Sequence, residues 1–302
     1  MLACNYLLNW CLLLPEIVWN ILLSCLVEEK EFLPVLAMDW FGLLRKAQNL
    51  EGKFGILTPF SSCSKNFLHS VRDTGKPLFV DRDVFEDKDS PWYERNHAEF
   101  RDDRWIHEKR VREKEELIQK IDLFFEECEV FSPDYVFAPD VLGEPLLSLY
   151  LARLSWRQYC QKSRTFKLIG IVQVGHTLYS WDETRRIPQK DVLPHYLTAR
   201  SFLSPLISEY RNIGYHFIAL GGLLKNEPTM PTGLKFDLSN EDLDNLLSWS
   251  RPDFVLGGLA LTRLEILKKH RVWADSTNWL WWDSRYDYKR FGHRNVLQEV
   301  IG

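Results

Sequence analysis

Short apolar runs, each closed by an acid, an amide, a glycine or a proline, recur along the chain. They cover Phe54 to Pro59, Pro77 to Asp81, Asp134 to Asp140, Ile169 to Gly175, Gly214 to Gly222, Pro252 to Gly258 and Val272 to Asp275. Runs of this length, rich in β-branched and aromatic residues, favour strands. The segments between them have a longer period. From His107 to Cys128, apolar Val111, Leu117, Ile118, Ile121, Phe124 and Phe125 recur at near-helical spacing, so the acids and bases among them read as a solvated helix face. Residues 145–160, 194–212, 240–249 and 262–270 also read as helices. Strands alternating with helices predict a parallel sheet. Over about 250 residues its closed form is an α/β fold, the (β/α)8 TIM-type barrel. An open doubly wound sheet is the alternative, but the first strand-to-helix turn lacks a phosphate-binding glycine fingerprint.

The way these strands end carries the candidate chemistry. In a parallel barrel the C-terminal strand ends share one face, where active sites form. Here that face would gather Asp81, Asp140, Gln173, Gly175, the pair Gly221 and Gly222, the pair Gly257 and Gly258, and Asp275. Carboxylates serve as acid, base or nucleophile according to environment. A carboxylate beside an amide can read the edge of a purine, since one accepts from N–H groups and the other both donates and accepts. Glycine opens backbone amides to a ligand. Each aspartate can equally cap the following helix.

Composition narrows the classes. The formal net charge of −4 excludes a polybasic binder, so a nucleic-acid contact must come from local patches. One such patch is legible. Lys268, Lys269, His270 and Arg271 precede the last run, and Arg285, Lys289, Arg290, His293 and Arg294 follow it among Trp281, Trp282, Tyr286, Tyr288 and Phe291. Bases interleaved with aromatics suit a phosphate track with stacking positions, and a solvated helix is the alternative. None of the six cysteines lies in a CxxC pair, so no zinc site is legible and a reducing cytoplasm is expected. Residues 1–50 form an apolar N-terminal segment without an assigned role, and the barrel is expected over 51–302. Met1 to Val27 carries Glu16 as its single formal charge, but Asn5, Asn9, Pro15 and Asn20 interrupt it and no base precedes it, which argues against a membrane anchor or a signal peptide.

The residues resemble the tRNA-guanine transglycosylase superfamily, which includes the queuine and archaeosine transglycosylases. The run LIGIVQVG (168–175) is similar to the family's FGIVQGG, and Gly214 to Met230 resembles its GYAIGGLAVGE segment. PDFVLGGLALTRLEILKKHRVWADSTNW (252–279) follows the layout of the strand, loop and helix that lead to FDCVLPTR. PDYVFAPDVLGEP (133–145) looks like the strand ending in the base-reading acid, and PLFVDRDVF (77–85) stands where the family has DSGGFQ. The resemblance spans about residues 54–294. It implies Asp275 as the nucleophile that attacks C1′ of a guanosine-type nucleotide and forms a covalent glycosyl intermediate, from which a 7-deazaguanine displaces the enzyme. It implies Asp81 as the acid that handles the bases' proton, Asp140 and Gln173 as readers of the base edge, and Gly175, Gly221 and Gly222 as backbone around it. Lys268, Lys269, Arg271, Arg285, Lys289 and Arg290 would meet the nucleic acid, and Tyr179 or Trp279 could stack on the base. A homodimer is also implied.

The chain departs from the family in places. Arg82, Asp83 and Val84 replace small residues after the first acid, so Asp83 can stand in for Asp81. Val174 replaces a glycine and would add a side chain beside the pocket. No cysteine follows Cys160, so the family's structural zinc, bound by three cysteines and one histidine, has no counterpart. No cofactor is expected. The partners expected are a free 7-deazaguanine base and a polymer, either tRNA or DNA, since divergent members of the superfamily act on DNA. Two other readings stay open: a non-catalytic barrel that binds a base or supports a catalytic partner, and an unrelated hydrolase with paired carboxylates.

Overall fold

The computed structural model describes residues 30–38, 41–60, 63–82, 109–140, 145–174, 200–223, 239–276 and 300–301. Eight strands pair in chain order and close on themselves: β1 (Pro34–Ala37), β2 (Gly55–Pro59), β3 (Leu78–Asp81), β4 (Tyr135–Phe137), β5 (Lys167–Gln173), β6 (Phe217–Gly221), β7 (Phe254–Val255) and β8 (Trp273–Ser276). Every pairing is parallel, and β1 joins β8 with Val35 opposite Asp275. Between them run α1 (Phe41–Gln48), α2 (Lys65–Arg72), α3 (Lys109–Phe131), α4 (Pro145–Gln161), α5 (Arg200–Ile213), α6 (Asn240–Ser250) and α7 (Leu264–His270). This is the TIM-type (β/α)8 barrel that the alternation predicts.

Strand parity sorts the side chains. Val35, Ala37, Leu57, Phe79, Phe137, Ile169, Ile171, Ala219 and Phe254 fill the barrel interior. Their neighbours Leu36, Ile56, Leu78, Val80, Val136, Leu168, Val172, Ile218, Leu220, Val255 and Ala274 pack outward against the helices. Successive side chains of a strand point to opposite faces, so the two clusters interleave along the sequence. The inward set continues to the C-terminal ends as Asp81, Gln173, Gly221 and Asp275.

The opposite end is closed by aromatic rings. Tyr135, Phe217 and Trp273 lie edge-on or stacked on one another, with ring centroids 5.2–6.2 Å apart. Lys30 Nζ sits 4.6 Å over the Trp273 ring and donates to the Asp253 carbonyl at 2.7 Å and to its carboxylate at 3.1 Å. The second carboxylate oxygen of Asp253 accepts from Ile218 N at 2.9 Å.

Local chemistry sets the boundaries. Ser64 Oγ accepts from Phe67 N at the start of α2, and Ser239 Oγ accepts from Asp242 N at the start of α6, the usual N-cap arrangement. The run at 252–258 yields a strand of only two residues because the chain turns at Gly257, whose φ is +64°. The seven-run pattern omits β1, which lies with α1 inside residues 1–50. Pro34 to Ala37 is wholly buried within a longer apolar stretch, so no polar alternation marks it as a strand. Among the described residues, no helix is long and apolar enough to cross a membrane.

Candidate active site

Four strand ends and one loop place the candidate residues. Asp81 ends β3, Gln173 ends β5, Gly221 ends β6, and Asp275 is the third residue of β8, all at inward positions. Asp140 lies in the loop beyond β4, three residues past its end. Gln173 and Gly221 are register partners. Asp140, Gln173 and Asp275 are 8%, 3% and 7% exposed, so three strongly polar groups sit at the edge of the hydrophobic interior.

Gln173 Nε2 donates to Asp140 Oδ2. That contact joins two elements and gives the buried carboxyl a partner, as a group withdrawn from water requires. Glycine makes room for it: a Cβ on Gly221 would fall 2.5 Å from Gln173 Nε2, and one on Gly222 would fall 3.0 Å from its Oε1. The Gly221 carbonyl is already engaged, accepting from Val174 N at 3.0 Å.

Asp275 is held from the other side. Gly257 N donates to Asp275 Oδ1 at 2.6 Å, and Leu259 N donates to its backbone carbonyl at 3.0 Å. The turn after β7 thus fixes one carboxylate oxygen. Leu256, at the inward position of the same turn, packs on the interior cluster and offers an apolar wall at the mouth.

The electrostatics follow from burial and crowding. Burial, then the charge of Asp81, push the Asp140 carboxyl up to about 8, against the opposing hydrogen bond from Gln173. Burial pushes Asp275 up to about 7. The Gly257 N–H works against that rise, and the Asp81 charge adds to it. Asp81 acts on both, so the three carboxyls share one electrostatic environment. A carboxyl balanced near neutrality changes protonation state readily, as acid–base and nucleophilic work requires. Among the described residues, no group of three or more histidines, cysteines, aspartates or glutamates is placed to hold a metal ion.

The structure therefore brings together Asp81, Asp140, Gln173, Gly221, Gly222 and Asp275. Gly175, Asp83, Tyr179, Trp279, Arg285, Lys289 and Arg290 lie outside the described residues. One group of residues stands apart from the site, and one expectation needs correction. Lys268, Lys269 and Arg271 are not at the mouth. A helix that follows a strand's C-terminal end runs back to the opposite end of the barrel, and these residues end α7 just before β8 begins. Lys269 and His270 bind Asp244 of α6 there, at 2.7 Å and 2.6 Å. Val174 adds nothing to the pocket, because it is one position out of phase with Gln173 and packs into the outward cluster. Leu256 and the Gly257 amide went unassigned from sequence. The glycine pair was the only signal at that turn, and a backbone donor carries no signature of its own.

No family model matches the chain, and no curated protein matches it. Solved structures are similar in outline. One is 2,3-dimethylmalate lyase, described as a PEP mutase/isocitrate lyase superfamily member, at 10% identity and a TM-score of 0.48, covering 94% of each chain. Another is oxaloacetate acetylhydrolase in complex with oxalate, at 12% identity and a TM-score of 0.46, covering 92% of this chain and 86% of that one. A third is thiamine phosphate pyrophosphorylase from Pyrococcus furiosus, at 11% identity and a TM-score of 0.43, covering 90% of this chain and 98% of that one. None of the three is named as a transglycosylase. Likeness at this level carries no argument about chemistry, and the closed ring of parallel pairings identifies the chain as a TIM-type barrel.

Proposed function

We propose that the chain is a base-exchange transglycosylase that replaces guanine in a nucleic acid, tRNA or DNA, with a 7-deazaguanine. The observation that carries this reading is the buried Asp140–Gln173 pair, set at one barrel mouth with Asp81 and Asp275. A guanine-type base presents adjacent N–H donors and a carbonyl acceptor, which a carboxylate and an amide match. Asp275 attacks C1′, the glycosidic bond to guanine breaks, and Asp81 gives the departing base its proton. The incoming base then attacks the same carbon, returns a proton to Asp81 and releases the Asp275 carboxylate. The Gly257 N–H holds Asp275 Oδ1 and leaves Oδ2 to react. The target nucleotide must leave its stack to enter a mouth of this kind.

The test is incorporation of radiolabelled guanine into tRNA and into double-stranded DNA by the purified chain and by Asp275→Asn. Incorporation into one polymer, lost in the variant, would support the reading and identify the polymer. Binding of free guanine without incorporation into either would favour a non-catalytic base-binding barrel. Absence of both would overturn the proposal.

A further inference from the structure

Behind the candidate reader lies a second layer built from two tyrosines. Tyr210, near the end of α5, and Tyr215, in the turn before β6, are each at most 2% exposed. Their rings press on the strand backbone at Gly170, where a Cβ would fall 2.6 Å from Tyr210 Cδ1 and 2.9 Å from Tyr215 Cδ1. The hydroxyls go to different elements. Tyr210 Oη donates to the Ile171 carbonyl of β5 at 2.6 Å, and Tyr215 Oη donates to the Ala152 carbonyl of α4 at 2.9 Å. The two side chains are therefore alike in burial and in bond type but differ in what they hold.

We infer that Tyr210 is a positioning residue, which fixes the end of β5 so that the Gln173 amide meets the Asp140 carboxyl. Ile171 precedes Gln173 by two residues, about 6–7 Å along a strand. Asp140 lies on a separate loop, so the Asp140–Gln173 contact depends on where the end of β5 sits. β6 holds one side of that end through the Val174 N–H bond to the Gly221 carbonyl, and Tyr210 ties the strand directly to α5. Loss of the hydroxyl leaves the Ile171 carbonyl one donor short in a dry layer, and the strand end can relax by tenths of an ångström. A buried amide–carboxyl hydrogen bond is sensitive to displacements of that size. The Tyr215 ring also packs on β5, but its hydroxyl bonds α4 and not the strand, so its loss leaves the β5 carbonyls as they were.

Comparison of Tyr210→Phe with Tyr215→Phe tests this. Both keep the ring and lose one buried hydroxyl, so both should lower the thermal midpoint by similar amounts. The separating measurement is the titration of the Asp140 carboxyl by carbon-13 NMR, assigned by its absence in Asp140→Asn. The Gln173 bond holds this group below where burial alone would put it. Its midpoint should rise further in Tyr210→Phe and stay in place in Tyr215→Phe. The kinetic counterpart rests on the base-exchange reading: the KM for the free base should rise about fivefold in Tyr210→Phe, the size of one neutral hydrogen bond, with kcat unchanged. Equal shifts in the two variants, or no shift in Tyr210→Phe, would overturn the inference. Wild-type protein without exchange activity would instead overturn the reaction, and the titration would still decide the role of Tyr210.

Discussion

The amide of Gln173 lies against the α-carbon of Gly221, so that a single added methyl group would stand 2.5 Å from Nε2. Its neighbour on that side is the end of a flexible side chain, so the methyl group can be accommodated if Gln173 moves. Gly221→Ala should therefore displace the Gln173 amide without unfolding the barrel. Under the base-exchange reading, kcat/KM should fall about 10- to 100-fold, with a small change in thermal midpoint. Steady-state kinetics beside differential scanning fluorimetry would check this. A variant that unfolds, or one with unaltered kinetics, would contradict the geometry.

Stability should fall as pH rises from about 4 to about 8. Asp140 and Asp275 have folded values of about 8 and about 7, above the ordinary 3.8. Between those limits the native state binds protons that the unfolded chain has released. Each added pH unit therefore favours the unfolded state. Asp140→Asn and Asp275→Asn remove a charge that the interior resists. Each should melt higher than wild type at pH 8, by about 2–4 °C for every kcal/mol recovered. Melting curves across pH would show the slope flatten in both variants. An unchanged slope would place the carboxyls in water.

Under the base-exchange reading, the rate should follow the ionisation of Asp275. With the group near 7 in the free protein, kcat/KM should climb about tenfold per pH unit below that value and level off above it. The KM for the base should improve separately as Asp140 ionises near 8, because only the carboxylate accepts from two base N–H groups. A pH profile of both constants tests the pair. A profile flat from about pH 5 upward would remove Asp275 from the role of nucleophile.

At the far end of the barrel, Asp253 holds both Lys30 and the Ile218 amide. Removing the lysine leaves a carboxylate that still has a partner, and Lys30→Met should cost about 1 kcal/mol. Removing the acid leaves the Ile218 N–H without its acceptor and the ammonium with the Asp253 main-chain carbonyl alone, so Asp253→Ala should cost more, about 2 kcal/mol. Urea denaturation of the two variants would reveal the asymmetry, and equal losses would refute it.

Much of this architecture was legible because polar residues stand out at the ends of apolar strands. Asp81, Gln173 and Asp275 each terminate or nearly terminate a buried run, and strand parity then places them on one face. What escaped notice had no such contrast. β1 is a buried run inside a longer apolar run, and Gly257 acts through its backbone. The base cluster at Lys268 to Arg271 stands apart from the mouth. It is close to Asp275 in sequence, yet β8 carries the chain from one end of the barrel to the other between Arg271 and Ser276. Val174 misled by a single position, since in a strand the next residue faces the other way.

The eightfold ring has a consequence for how such a pocket comes into being. Its polar groups are supplied by β3, β5, β6, β8 and the loop beyond β4, so that almost 200 residues separate Asp81 from Asp275. No fragment of consecutive units carries the whole set unless it runs from the third strand to the last, and Asp275 gains its neighbour Val35 only when the first strand has met the eighth. If the mouth binds the base proposed for it, that binding is a gauge of ring closure itself, and a chain that is helical and compact but still open at the β1–β8 seam would be blind to the base.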